Sequence, residues 1–521
     1  MNIVIVAINA KFIHTSLAAH SLLAYLDNEE KKHIQLREFT VNQSENLIVS
    51  ELFAMRPNVL AFSCYIWNIS LVRSLVETIT KIMPNVVLVF GGPEADFTEH
   101  IVVQGEGELA FKSLVRDILS NLPLQQVYKS VEAVSLRDIP FPYENFDGRI
   151  LYYETSRGCF NRCGYCLSSA STEVRFLPVE RVYEDLDIFL DQKVKQVKFV
   201  DRTFNCDKQH AIAIWKYLIR HDNGFTNFHF EIAGDLLDDE IISLLKKARP
   251  GLFQFEIGVQ STNPATLATI QRSTDSKKIF ENVSKLKLIK NIHLHLDLIV
   301  GLPYEDYPTF ARSFNDVMAC RPHKLQVGFL KLLKGSKLRQ NADKYGIKFK
   351  SNAPYEVLET SYMNFEAIDK LKQVEEIVDL FYNSDGFKYT VNYMIDQFDT
   401  PFDFFEALAK YWWEKKYHML SHKKMSLYTI LYEFGKQDDL LSELLRFDML
   451  LRENIRTFPE WMNYQYDNKE ITRDSAVHRF TYDVCNVNGQ ISEKDICVHF
   501  DYKKQTNPSF QWQAGFEVLP G

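Results

Sequence analysis

The sequence lacks any apolar run close to the roughly 20 residues that a membrane-spanning helix requires. Its first residues, "MNIVIVAINAKFIHTS", are apolar but have no basic leader and no small-residue cleavage site, so they predict a strand and not a signal peptide. We therefore expect a cytoplasmic protein that has no membrane partner.

The sequence also lacks an excess of positive charge. Its net charge is −8 and its pI is about 6.0. Phosphate binding needs clustered cations, so these values argue against a general nucleic-acid surface and leave room only for local basic patches.

Internal repeats and low-complexity segments are absent as well. The 521 residues, with 46% hydrophobic and 25% charged side chains, predict a globular chain of about three domains.

The first part of the chain alternates between β-rich runs and helical patterns. The β-rich runs cover residues 2–9, 33–39, 58–67, 85–92 and 100–107. Near-continuous apolar strands that alternate with helices indicate a parallel sheet covered on both faces. This predicts an α/β protein whose first domain, residues 1–140, is a Rossmann-like sheet. The proline-containing stretch 136–148 is the predicted linker.

The alternation resumes in residues 148–340, the predicted second domain. Strand candidates are residues 150–156, 196–201, 227–234, 252–259, 292–301 and 324–330. Six β/α units favour a partial (β/α)6 barrel over a second open sheet, although the pattern alone leaves both open.

Residues 350–521 have a different character. Long polar-aromatic helical stretches at 367–384 and 401–420 predict a mostly helical C-terminal domain, with a short β pair at 477–484 and 495–502.

Cysteine is used unevenly among its 8 occurrences. Five are scattered and are predicted to be small buried hydrophobic residues: Cys64, Cys206, Cys320, Cys485 and Cys497. The other three, Cys159, Cys163 and Cys166, have the spacing Cys-x3-Cys-x2-Cys just after the first barrel strand.

Three alternatives can be weighed for these three cysteines. Zinc usually takes four ligands, and no second Cys-x2-Cys pair exists. A thioredoxin-like pair would leave Cys159 unexplained. Iron–sulfur clusters do take closely spaced thiolates, and three thiolates on a four-iron cluster leave one iron open for chemistry. Active sites of β/α barrels lie at the carboxyl ends of the strands, where this loop falls.

The stretch "RGCFNRCGYC" resembles the cluster motif of radical SAM enzymes, including the aromatic Tyr165 before the last cysteine. The resemblance implies a 4Fe–4S cluster on the three cysteines and S-adenosylmethionine (SAM) on the open iron. Later strand ends also resemble the family, and the SAM-binding residues that they imply are Tyr165, Asp201, Glu231, Gln260, Ser261 and Ile299. Asp201 has the alternative of a helix N-cap. Arg272 would approach the SAM carboxylate or, as the blander alternative, be a solvated arginine at a helix end.

A parallel sheet before such a barrel resembles the cobalamin-binding domain of one large subclass, as does "QGEGE" at 104–108. The implied cobalamin contacts are Ser63, Tyr65, Gly91, Gly92 and Glu94. His14 falls near the position of a cobalt ligand in methionine-synthase-type domains, but the surrounding Asp and Gly are missing, so a cap or surface role is expected. A Rossmann-like scaffold without cofactor is the alternative for the whole domain.

The resemblance covers residues 1–335 and predicts a cobalamin-dependent radical SAM enzyme. It would cleave SAM to a 5′-deoxyadenosyl radical and methylate an unactivated carbon, with an external electron donor such as flavodoxin or ferredoxin. The alternatives are a radical rearrangement or ring contraction without methyl transfer, and a non-catalytic iron–sulfur or cobalamin redox or sensor protein. The tail resembles an uncharacterised C-terminal domain, and the sequence does not identify the substrate.

Overall fold

The computed structural model describes residues 1–170, 173–455, 457–462, 472–485, 491–505 and 514–519. The chain divides into two compact units. The first comprises residues 1–253, 268–273 and 330–360, and the second comprises 254–267, 274–329 and 361–521. Among the described residues, no helix combines the length and the apolar character needed to cross a membrane. The predicted boundaries of the three domains stay predictions.

Strands and helices alternate along most of the described chain. The strands are β1 (Ile3–Asn9), β2 (Ile34–Thr40), β3 (Val59–Ser63), β4 (Val87–Gly91), β5 (Ile101–Gln104), β6 (Val127–Lys129), β7 (Leu151–Tyr153), β8 (Ser156–Arg157), β9 (Arg175–Phe176), β10 (Gln196–Phe199), β11 (Asn227–Ile232), β12 (Phe253–Gln260), β13 (His293–Val300), β14 (Lys324–Phe329), β15 (Lys348–Phe349), β16 (Val357–Glu359), β17 (Ser475–Tyr482), β18 (Glu493–Gln505) and β19 (Ala514–Leu519). The α-helices are α1 (Leu17–Ala24), α2 (Asn28–Lys31), α3 (Glu45–Ala54), α4 (Ile69–Ile82), α5 (Gly107–Leu119), α6 (Val179–Asp191), α7 (Lys208–Arg220), α8 (Asp239–Leu245), α9 (Pro264–Thr269), α10 (Ser276–Ile289), α11 (Tyr307–Ala319), α12 (Lys337–Gln340), α13 (Phe365–Ile377), α14 (Lys388–Ile395), α15 (Pro401–Glu414), α16 (Lys424–Phe434) and α17 (Asp439–Arg452).

The first unit begins with a six-stranded sheet in the order β2-β1-β3-β4-β5-β6, and every neighbouring pair in it is parallel. Its interior strand β1, which lies between β2 and β3, is buried at every position. Alternate residues of β1 pack on opposite faces of the sheet. Ile3 and Ile5 belong to the core beneath α1 and α5. Val4 and Val6 belong to the core beneath α3 and α4. The predicted parallel sheet with two covered faces is confirmed.

The strands of the predicted barrel are found in both units. In the first unit, β10 lies between β7 and β11 in parallel register. In the second unit, β13 lies between β12 and β14 in parallel register. Helices separate successive strands, and several of them begin at an aspartate whose side chain accepts a backbone N–H, as Asp207 does before α7 and Asp306 before α11.

The C-terminal part of the second unit is mostly helical, as predicted. The helices α13 to α17 are followed by an antiparallel sheet in the order β17-β18-β19. The core between α14, α17 and this sheet contains Phe447, Phe480 and Phe500. The predicted β pair is present, and β19 adds a third strand that the sequence pattern did not reveal.

A buried carboxyl group joins two loops of the second unit. Glu305, in the loop after β13, is fully buried, and its Oε1 accepts hydrogen bonds from Ser261 Oγ at 2.6 Å and Ser313 Oγ at 3.0 Å. Burial raises the pKa of Glu305 to about 7. The loop that follows β12 is therefore fixed to the loop that follows β13 by a group that titrates near neutrality.

We expect the Glu305→Gln variant to change the pH dependence of stability. The folded state binds the Glu305 proton more tightly than the unfolded state does, so this group stabilises the fold below its unfolded pKa, and that contribution is lost as the pH rises through about 7. Glutamine resembles the protonated acid and does not titrate. The free energy of unfolding in urea should therefore shift in favour of the variant by a few kcal/mol between pH 5 and pH 8. A wild-type-to-variant difference that is constant across this range would contradict the buried titration.

Candidate active site

The three clustered cysteines lie in one loop of the first unit. Cys159 and Cys163 are buried and Cys166 is half-buried, and all three are thiols outside any disulfide. The loop is entered at Gly158, whose φ is +111°. A Cβ at Gly158 would lie 2.2 Å from the carbonyl oxygen of Glu173, so only glycine fits where the chain turns into Cys159.

Arg272 lies against this cysteine loop. Its Nη1 donates to Cys163 Sγ at 3.6 Å and to Tyr165 Oη at 3.4 Å. Burial lowers the pKa of Arg272, but the neighbouring Tyr165 and Cys163 raise it above the usual arginine value, so the side chain stays cationic. The blander expectation, a solvated arginine at a helix end, is wrong. A cation beside the sulfur favours the thiolate, the form that binds metals, and three such cysteines on one loop fit a cluster with three protein ligands.

Asp201 is fully enclosed beside the start of the same loop. Its carboxylate accepts hydrogen bonds from the backbone N–H of Thr155 at 3.2 Å, from Thr155 Oγ1 at 2.7 Å and from Ser156 Oγ at 2.5 Å. Burial raises the pKa of Asp201 to about 6. The alternative of a helix N-cap is therefore wrong, since Asp201 fixes the chain three residues before Cys159. Its predicted contact with SAM stays a prediction.

An ionic network centred on Arg157 connects the cysteine loop to the predicted cobalamin domain. Arg157 Nη2 donates to Glu108 Oε1 at 2.9 Å and to Glu154 Oε2 at 2.7 Å, and its Nη1 is 3.1 Å from Glu106 Oε2. Glu106 also pairs with Arg175. The "QGEGE" segment supplies two of these carboxylates, so that motif holds the residue that precedes Gly158. Sequence reasoning noted the motif but missed its partner, because the contact spans 49 residues.

The remaining predicted SAM residues are distributed over both units. Glu231 is half-buried on β11 in the first unit. Gln260 and Ile299 are half-buried on β12 and β13 in the second unit. Ser261 is fully buried and its hydroxyl donates to Glu305. The SAM contacts of these four residues stay predictions.

Sequence reasoning missed a cluster of polar side chains on neighbouring strands of the second unit. His295 Nε2 lies 3.2 Å from Asp297 Oδ1, and its Nδ1 lies 3.9 Å from Glu256 Oε2. Glu256 is opposite His295 in the register of β12 and β13. The signal was present in "HLHLDL", where polar residues alternate with leucines and so share one face of the strand.

The carboxyl edge of the N-terminal sheet has the form of a ligand site. Its strand order reverses between β1 and β3, and ligands of such sheets bind outside the carboxyl ends at this reversal. Ser63 ends β3, and the loop after it carries Tyr65 and Trp67. The ring centroids of Tyr65 and Trp67 are 4.4 Å apart, and the rings stack with an interplanar angle of 4°. Trp67 Nε1 donates to the carbonyl oxygen of Ile8 at the end of β1 at 3.0 Å. Trp67 is nevertheless 48% exposed, so an aromatic face is presented at this edge.

The "GGPE" segment has contacts that differ from those expected. A Cβ at Gly92 would lie 2.5 Å from the carbonyl oxygen of Cys64, so the close approach of the loops after β3 and β4 explains this glycine. At Gly91 a Cβ would meet only ordinary contacts. Glu94 is buried and accepts a hydrogen bond of 2.7 Å from Tyr355 Oη. The cobalamin contacts assigned to Ser63, Tyr65, Gly91, Gly92 and Glu94 stay predictions.

His14 is tied to β7. Its Nδ1 lies 2.7 Å from Tyr152 Oη, and burial together with Lys11 and Lys198 lowers its pKa. His14 is therefore a half-buried residue with a partner, rather than a cap or a surface residue.

Family models match three successive segments of the chain. A "B12 binding domain" matches residues 3–115, the "Radical SAM superfamily" matches residues 153–317, and a "Protein of unknown function (DUF4080)" matches residues 343–506. The chain is a radical SAM protein with an N-terminal B12 binding domain. Cobalamin, SAM and a 4Fe–4S cluster are the cofactors that these two domains imply.

Curated relatives point the same way. The cobalamin-dependent radical SAM methyltransferase TokK of Streptomyces tokunonensis is 25% identical over 347 residues, which cover 56% of this chain and 50% of TokK. The uncharacterized methyltransferase PH0819 of Pyrococcus horikoshii is 27% identical over 264 residues, which cover 43% of this chain and 56% of that protein. This radical SAM protein thus spans about half the length of the curated relatives that it matches.

Solved structures show the same fold. The radical SAM methyltransferase TsrM from Kitasatospora setae, with tryptophan substrate and a SAM analogue bound, has a TM-score of 0.55 at 14% identity, covering 68% of this chain and 80% of TsrM. The cobalamin-dependent radical enzyme OxsB, with aqua-cobalamin and SAM bound, has a TM-score of 0.57 at 14% identity, covering 86% of this chain and 79% of OxsB. The predicted fold class is confirmed.

We expect Arg157→Ala to destabilise this radical SAM protein strongly. The Glu108 side chain is only 7% exposed, and the change would leave it buried without its cation. Breaking one partner of a buried pair typically costs about 3–5 kcal/mol. Arg157→Lys should recover part of this loss, because it restores the charge without the forked geometry.

Thermal unfolding of the anaerobically prepared protein measures this effect. Arg137→Ala, which removes an exposed arginine of the same unit, is the matched control and should change stability by no more than about 0.5 kcal/mol. Equal melting temperatures for the Arg157 and Arg137 variants would contradict the network's role.

Proposed function

We propose that this protein is a cobalamin-dependent radical SAM methyltransferase that methylates an unactivated carbon. The observation that carries the proposal is the cysteine loop, which offers three thiols, has Arg272 beside Cys163, and is connected through Arg157 to the B12 binding domain. Three protein ligands leave one iron open, which suits a cosubstrate and not simple electron storage. The reducing cytoplasm is the expected location, because these thiols must stay reduced.

The bound groups would supply the chemistry: the cluster would supply the electron for cleavage of SAM, SAM would supply the 5′-deoxyadenosyl radical that removes a hydrogen atom, and methylcobalamin would supply the methyl group. The protein's own task is to hold these groups in place. Arg272 stabilises negative charge at Cys163, and Asp201 holds the backbone before Cys159. Arg157 and its carboxylates join the cysteine loop to the edge segment "QGEGE" of the N-terminal sheet.

The cobalamin part of the proposal rests on the edge of that sheet. Tyr65 and Trp67 form a flat aromatic pair where the strand order reverses, and the exposed part of Trp67 offers apolar area to a large planar ligand. We assign Trp67 to the cobalamin site together with the five residues predicted from sequence. Coordination of cobalt by His14 is not part of the proposal, since the Asp and Gly that accompany the cobalt-ligating histidine in methionine-synthase-type domains are missing around it.

The Cys163→Ala variant tests the cluster assignment. After anaerobic reconstitution with iron and sulfide, we expect the wild-type protein to bind about four irons and, with dithionite, to convert SAM to 5′-deoxyadenosine. Cys163→Ala should lose both properties, because two thiolates hold a four-iron cluster poorly. Cys320→Ala is the control, since Cys320 is a half-buried thiol of the second unit. Iron binding by Cys163→Ala equal to that of the control would contradict the assignment.

The products decide between the proposed reaction and its alternatives. Methylated product with 5′-deoxyadenosine supports methyl transfer. Formation of 5′-deoxyadenosine with a rearranged, unmethylated substrate would instead support radical rearrangement or ring contraction. Absence of 5′-deoxyadenosine from cluster-loaded, reduced protein would favour the redox or sensor protein.

The Trp67→Ala variant tests the cobalamin site. Protein purified with hydroxocobalamin should retain the corrinoid after desalting, as judged by its visible spectrum, and Trp67→Ala should retain at least tenfold less because it loses the aromatic contact area. Trp67→Phe should retain an intermediate amount. Phe53→Ala is the control, since Phe53 is an exposed aromatic on α3 of the same domain. Corrinoid retention that is unchanged in Trp67→Ala would remove this residue from the site.

A further inference from the structure

A strongly basic segment lies in a chain that is acidic overall. Between Lys331 and Lys350 there are seven basic residues and one acidic residue, whereas the whole chain has a net charge of −8. The basic residues are Lys331, Lys334, Lys337, Arg339, Lys344, Lys348 and Lys350. None of these seven residues is among those assigned above to the cluster, SAM or cobalamin.

This basic segment packs directly on the cysteine loop. The backbone N–H of Leu338, in α12, donates to the carbonyl oxygen of Gly164 at 2.8 Å, between Cys163 and Cys166. Gly335 is close enough that a Cβ there would contact Leu167 at 3.9 Å. Lys337 Nζ donates to Gln271 Oε1 at 3.2 Å, next to Arg272. All these residues belong to the first unit, so the basic surface and the cluster ligands form one body.

Some of the cations are committed to internal contacts and others are not. Lys334 pairs with Asp96, Lys348 with Glu359, and Lys350 with Glu356. Arg339 lies over the rings of Phe349 and Tyr355. In contrast, Lys331, Lys337 and Lys344 are exposed and form no ion pair with a carboxylate within the described part of the chain. Lys337 Nζ donates to the neutral amide of Gln271 and Lys344 Nζ lies over the ring of Tyr345, and neither contact neutralises the charge. The three lysines therefore contribute positive charge to the surface.

We propose that Lys331, Lys337 and Lys344 form the docking surface for a small acidic protein that carries single electrons, and that the electron enters the cluster there. This inference rests on the proposed function, which needs one electron for each cleavage of SAM. The reduced carrier loses one electron and the oxidised cluster gains it, so no further reactant is required. Complementary charge guides such encounters and accelerates association by about 10- to 1,000-fold at low salt.

Nucleic acid is the other polyanion that a basic surface could attract. The observations favour a protein carrier for two reasons. The basic segment is short in a chain whose pI is about 6.0, whereas nucleic-acid surfaces usually make many phosphate contacts. The segment also contacts the loop that holds the cluster ligands, where an electron has to arrive.

The test compares reduction of the cluster by two reductants. The triple variant Lys331→Glu, Lys337→Glu, Lys344→Glu is prepared with its cluster, and bleaching of the cluster absorbance is followed by stopped flow. With reduced acidic flavodoxin at low salt, we expect the second-order rate constant to fall at least tenfold below that of the wild type. At 1 M salt, where charges are screened over about 3 Å, the two rate constants should converge. With dithionite, a small anion that needs no docking surface, the fall at low salt should be much smaller than with flavodoxin.

The control variant is Lys216→Glu, Lys247→Glu, which reverses exposed lysines on α7 and after α8 in the same unit. Equal rates with flavodoxin for wild type and triple variant, or an equal fall in the control, would overturn the proposal. A triple variant that loses transfer-RNA binding while its flavodoxin rate is unchanged would also overturn it, in favour of nucleic acid.

The outcomes separate the docking surface from the reaction. Bleaching reports electron delivery alone and needs no SAM cleavage. If reduced wild-type protein forms no 5′-deoxyadenosine, the proposed function fails, whereas the difference between the triple variant and the control still decides where the carrier docks.

Discussion

The cysteine loop depends on one half-buried arginine and the carboxylates around it. Arg157 immediately precedes Gly158, and it contacts Glu106 and Glu108 from the N-terminal sheet and Glu154 from the end of β7. A single cation thus sets the path of the chain into Cys159 and connects it to the B12 binding domain.

The charged groups around the loop do not disfavour the deprotonated, thiolate form of the cysteines. Carboxylates near sulfur would raise the pKa of the thiols and disfavour metal binding. Here the nearby acids are engaged elsewhere: Arg157 neutralises Glu154 and Glu108, and the carboxylate of Asp201 accepts hydrogen bonds from Thr155 and Ser156. A cation, Arg272, directly meets the sulfur of Cys163, and the hydroxyl of Thr203 lies 3.9 Å from the sulfur of Cys159.

Local patterns predicted the sheets and the cluster ligands but not the contacts that support them. The continuous apolar run of β1 and the spacing of Cys159, Cys163 and Cys166 are properties of neighbouring residues, so a sequence displays them. Arg272 lies 109 residues beyond Cys163, and Asp201 lies 46 residues beyond Thr155. Their roles depend on which strands become neighbours. Sequence reasoning therefore left a solvated helix end open for Arg272 and a helix cap open for Asp201, beside their predicted contacts with SAM.

The same limit explains why the sequence identified the motifs of the N-terminal domain but not their purposes. Gly92 looked like a residue that admits a ligand, yet Cys64 occupies the space where a Cβ would lie, so packing of adjacent loops alone requires glycine there. Trp67 had no motif to mark it, yet its hydrogen bond to Ile8 holds an exposed ring where the strand order reverses. Loop packing is therefore a sufficient reason for the glycine at position 92. Core packing gives no comparable reason for an exposed tryptophan ring at position 67, at the end of the sheet. For that reason the aromatic pair, more than the glycines, carries the argument for a ligand at this edge.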